Sequence, residues 1–67
     1  MGMKDAELEA ERLALLAEER DLAQAHQRLH LTPDDRPAHA AHRERLKAHA
    51  ARARAYRDAI RLQTWGH

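Results

Sequence analysis

A chain of 67 residues with no cysteine, a net charge of +1 and only Tyr56 and Trp65 as aromatics can build one thin domain. It offers no disulfide, thiolate metal site or thiol nucleophile. Much of its apolar fraction is alanine, which buries little area, so a partner is expected to complete the core, most simply a second copy.

Abundant Ala, Leu, Glu and Arg with few β-branched residues favour long helices over strands, because these side chains lose little rotamer freedom in a helix. No apolar run approaches the ~20 residues of a membrane span, and no signal peptide is visible. The expected location is therefore cytoplasmic, without membrane contact. Met1-Gly2-Met3 reads as a short added leader ahead of Met3.

The first helix is expected over about 3–31, a stretch without Gly or Pro in which Leu8, Leu15, Leu22 and Leu29 recur every seven residues. With these leucines at the d positions of a heptad, the a positions are Asp5, Arg12, Glu19 and His26, a polar seam for a coiled coil. Asp5, Glu7, Glu9 and Glu11 crowd the first turns, where the positive end of the helix dipole favours acids.

Thr32-Pro33-Asp34-Asp35-Arg36-Pro37 breaks the pattern. Thr32 has the form of an N-cap, with Pro33 first in the helix and Asp35 returning to the cap. Pro37 conflicts with that start, since a proline at the fifth helical position cannot donate its backbone bond. Either the second helix begins at Pro33 with a distorted first turn, the reading favoured here, or a turn over about 32–37 precedes a restart at Pro37. The regular helix then runs over about 37–64, with Gly66 marking its end. Its seam reads His39, His42, Leu46, His49, Ala53, Tyr56, Ile60 and Gln63.

Up to Asp35 there are nine acids against four bases, and from Arg36 onward eight bases against two acids. An antiparallel hairpin lays one half on the other, pairing positions whose numbers sum to about 68. Leu29 then meets His39, His26 meets His42, Leu22 meets Leu46, Glu19 meets His49, Leu15 meets Ala53, Arg12 meets Tyr56 and Leu8 meets Ile60. Arg12 is expected to lie on the Tyr56 ring, Glu18 near Arg52 and Glu9 near Arg57.

A second apolar strip carries Leu13, Leu16 and Ala23 on the first helix and Ala38, Ala41, Ala48, Ala55, Ala59 and Leu62 on the second. One seam cannot cover both strips. Leu13, Leu16, Ala41, Ala48, Ala55 and Leu62 are therefore the expected interface of a homodimeric four-helix bundle. Trp65 is expected to cover the bundle end or an oligomer contact.

Histidines are the main candidates for chemistry. His26 and His30 are four apart and His39 and His42 three apart, spacings that place two imidazoles on one helical face as Zn, Ni or Cu chelation requires. With His49 they form a candidate metal or haem set, although no HExxH or Glu-x-x-His motif accompanies them. The plainer reading, half-buried imidazoles bonding across the seam, is favoured. Protonating His26, His42 and His49 together would place like charges in the seam and loosen it below about pH 6.

Lys47, Arg54 and Arg61 repeat every seven residues with Arg43 and Arg57 beside them, a ridge able to follow a phosphate backbone or simply to face solvent. Catalysis has little support: the chain lacks Ser and Cys, and a thin hairpin offers no large pocket.

Two helices of about 28 residues, a short turn and a polar-interrupted heptad seam resemble the layout of the plasmid repressor-of-primer family and other short bacterial helical hairpins. That resemblance implies two hairpins paired in an antiparallel four-helix bundle and binding of a kissing RNA pair. No shared motif carries functional residues across. The function expected from the residues is a non-enzymatic interaction or scaffold protein that binds a protein partner. Metal or haem binding and RNA or DNA binding are the alternatives.

Overall fold

A computed structural model describes residues 4–65, with side chains through Gln63. The reading of Met1-Gly2-Met3, the Gly66 stop and the role given to the Trp65 side chain lie outside what is described. The described residues form two helices and no strand: α1, Asp5–His30, and α2, Arg36–Trp65.

Helix α1 begins where the Lys4 backbone N–H donates to Glu7 Oε2 at 3.3 Å, so an acid of the first turn satisfies an amide that has no partner within the helix. It ends in tightened turns, with Leu31 N–H donating to the Arg28 carbonyl at 3.1 Å and Thr32 N–H to that of Leu29 at 3.2 Å. No described residue takes a positive φ.

The start of α2 corrects the favoured sequence reading. Asp35, not Thr32, is the N-cap: its Oδ1 accepts from Ala38 N–H at 3.2 Å, and its carbonyl takes the first helical bond, from His39, at 3.1 Å. Pro37 then stands second in the helix, where no amide donor is needed. A start at Pro33 would have required a bond from Pro37 that proline cannot make. Asp35→Ala is accordingly expected to lower stability by about 1 kcal/mol, read as a fall in thermal midpoint, and Thr32→Ala by much less.

The helices lie antiparallel in a rod of 51 × 16 × 12 Å. Both ends carry the expected register. Gln63 donates to Asp5 Oδ1 at 2.9 Å at the open end, and the His26 and His42 rings sit 5.9 Å apart near the turn. The core is a line of Leu8, Leu15 and Leu22, joined from α2 by His42 at 7% exposure. Leu46 and Ile60, which the seam pattern places inside, stay 43% and 39% exposed. Two helices enclose only the strip between them, so residues toward the edge of the seam remain in contact with water. Among the described residues no helix is long and apolar enough to cross a membrane.

Candidate interaction faces and the histidine layers

The polar layer at mid-rod is denser than a single Glu-to-His pair. His49 Nδ1 donates to Glu18 Oε1, and its Nε2 lies 3.6 Å from Glu19 Oε1. Arg52 reaches Glu11 at 2.5 Å and Glu18 at 3.6 Å. The bond to Glu11 raises the Arg52 pKa. Four charged groups and one imidazole thus bridge the two helices. Glu18 meets Arg52 as expected, and Glu11 is the member that the summed register misses. A signal was present in the sequence: Glu11 and Glu18 are seven apart on α1, as Arg45 and Arg52 are on α2, the flanking columns that pair across a coiled coil.

One expected contact is replaced. Glu9 binds Arg12 at 2.5 Å within α1 rather than Arg57, because residues three apart are already neighbours on one helix surface. The bond leaves Arg12 beside Tyr56, with which it lines one groove as the register expects. It also holds the Glu9 carboxyl below the usual carboxylate range, chiefly through the hydrogen bond from Arg12. A depressed carboxyl contributes stability above its unfolded pKa and loses it as pH falls through the folded value, and here the pair is solvent-exposed and the effect small.

The histidines divide into two groups. His26 meets His30 edge-on with ring centroids 4.9 Å apart, and His42 at a tilt of 35°. His39 Nε2 lies 3.1 Å from the Thr32 carbonyl, and His49 is committed to Glu18. The described residues contain no group of three or more His, Asp or Glu arranged to hold a metal ion. Of the set His26, His30, His39, His42 and His49, the first four line one groove near the turn, with His26 edge-on to His30 and tilted against His42, while His49 is held apart by Glu18.

His42 Nδ1 is buried without a hydrogen-bond partner among the described residues. An unpaired buried nitrogen costs about 1–3 kcal/mol. His42→Leu is therefore expected to raise the thermal midpoint, whereas His49→Leu, which leaves Glu18 only its 3.6 Å contact with Arg52, lowers it. Equal losses in both would show that the His42 ring is already satisfied.

The hairpin has two unlike faces. On one, Leu16 shares a groove of about 260 Å³ with Tyr56 and Arg57, and Ala23 shares one of about 460 Å³ with His26 and Leu46. A third groove on this side, about 300 Å³, holds His26, His30, His39, His42 and Arg43. On the other, Ala48 lies with Glu18, Arg45 and Arg52, and Ala41 with Ala25, Arg28 and Arg45. Helix geometry agrees: Leu16 and Ala25 are nine positions apart, about 180° around α1, and Ala48 and Ala53 are about 140° apart around α2.

The six residues expected to form one interface are thus divided. Leu16 is on the histidine face. Ala41 and Ala48 are on the alanine face, with Ala55 and Leu62 continuing their side of α2. Leu13, two residues from Leu15 and so about 160° from it, is on the back of α1 at 53% exposure. Lys47, Arg54 and Arg61 lie on the exposed back of α2, where Lys47 pairs with Glu44 at 3.3 Å. Arg43 and Arg57 instead flank the histidine face.

These features define an all-α helical hairpin with two lateral faces of different chemistry. No family model, curated protein or solved structure matches the chain. The likeness in layout to repressor-of-primer hairpins therefore carries no functional argument.

Proposed function

We propose that the hairpin is a non-enzymatic interaction or scaffold protein: two copies pair into a four-helix bundle through the histidine face, and the bundle presents its outer faces to a protein partner. Its surface area is the observation that carries this reading. The chain exposes 5708 Å², about 1,400 Å² more than the roughly 4,300 Å² typical of a folded monomer of 7.7 kDa. A standard interface removes about 800 Å² from each partner, more than half of that excess.

The histidine face is the better seam because its apolar side chains are large. Leu16 at 41% exposure and Leu46 at 43% stand at mid-rod on either side of the Glu19 and His49 layer, whereas on the opposite face the large apolar side chains, Leu31 and Leu62, stand at the two ends of the rod with alanine between them. A face 51 Å long and 16 Å wide spans about 800 Å², the area each partner contributes to a standard stable interface. Light scattering on the purified chain is expected to give about twice 7.7 kDa at tens of micromolar. A mass of one chain over that range overturns the dimer.

A further inference from the structure

We propose that the groove at the turn end of the alanine face is the docking site for an acidic amphipathic helix of a partner protein. This rests on the interaction reading above and names the partner's chemistry. The groove measures about 600 Å³. Ala25, Leu29 and Ala41 line it, with Leu31, 82% exposed, beside them. Alanine lets a helix backbone approach closely, and an exposed leucine at the rim supplies the apolar contact that an incoming helix needs.

Charge selects the occupant. Arg28 and Arg45 line the groove, no carboxylate does, and neither arginine is in an ion pair among the described residues. Arg52, farther along the same face, is by contrast held by Glu11 and Glu18. A partner with leucines on one side and glutamates flanking them would cover the apolar surface and give both guanidiniums a carboxylate. RNA fits less well, because the lining is mostly aliphatic and its one ring, the His42 imidazole, is only 7% exposed and offers no open face on which a base could stack.

The test uses the full chain with two synthetic helical peptides that share leucines at i, i+3, i+4 and i+7, one flanked by glutamate and one by lysine. Fluorescence anisotropy is expected to show the glutamate peptide binding at least tenfold tighter than the lysine peptide. Amide chemical shifts should move at Ala25, Leu31 and Ala41. The exposed double substitution Arg28→Glu, Arg45→Glu should cost at least tenfold for the glutamate peptide while circular dichroism stays unchanged, and Leu31→Ser should weaken both peptides.

Equal affinity for the two peptides, shifts confined to the histidine face, or binding of neither peptide overturns the proposal. So does a 20-nucleotide RNA that binds, and is lost with the double substitution, where no peptide binds. Light scattering on the same samples separates the two readings. A monomer that still prefers the glutamate peptide overturns only the dimer, and a dimer that binds neither peptide overturns only the groove.

Discussion

Leu22→Ala is expected to remove the cooperative thermal transition of the hairpin. At 5% exposure Leu22 is the most deeply buried leucine in a core that contains only two others. Truncating such a side chain costs about 2–5 kcal/mol, the loss of transfer energy plus a cavity. A chain of this size has only about 3–10 kcal/mol of total stability. Within one hairpin the void would also stay open, since Leu22 lines grooves on both faces. Leu13→Ala, on the exposed back of α1, should change stability by less than about 0.5 kcal/mol. Circular dichroism melts of the two variants check this. Equal losses would show that the three-leucine line is not the core.

Leu46→Glu is expected to separate the proposed dimer. In a lone hairpin a glutamate at this half-exposed position remains hydrated, whereas in the bundle it would be a buried, unpaired charge. The dimer dissociation constant should rise at least 100-fold, equivalent to about 2.7 kcal/mol. Ala48→Glu on the opposite face should leave it within about threefold. Sedimentation over a concentration series measures both. Helix content is followed alongside, because folding and pairing are coupled in a chain this small. If Ala48→Glu splits the dimer and Leu46→Glu does not, the seam lies on the alanine face.

Much of the arrangement was legible beforehand, for reasons that can be named. The start of α2 is ambiguous in the sequence because Thr32-Pro33 has the form of a cap, while Pro37 four residues later rules out that start. Asp35 is the residue that satisfies both constraints, since it can cap only if Pro37 falls in the first turn. The Glu9 to Arg57 pair failed because a partner three residues away on the same helix is available without ordering a second chain segment. Glu11 was passed over because a register that matches positions by their sum describes the seam and omits the columns flanking it. The histidines were correctly paired at His26 and His42, yet spacing could not tell stacked rings from converging nitrogens.

The amino-acid order by itself determined the two helices and their alignment. Leucines seven apart define one seam on α1, and a single proline-marked break leaves one antiparallel register that pairs Asp5 with Gln63 and His26 with His42. Only the tertiary structure decided which apolar strip belongs to which face. The direction in which residues advance around a helix reverses, in a common view, when the helix runs the other way. Leu16 on α1 and Ala41 and Ala48 on α2 look like parts of one strip on separate helical wheels, and the fold carries them to opposite sides of the rod.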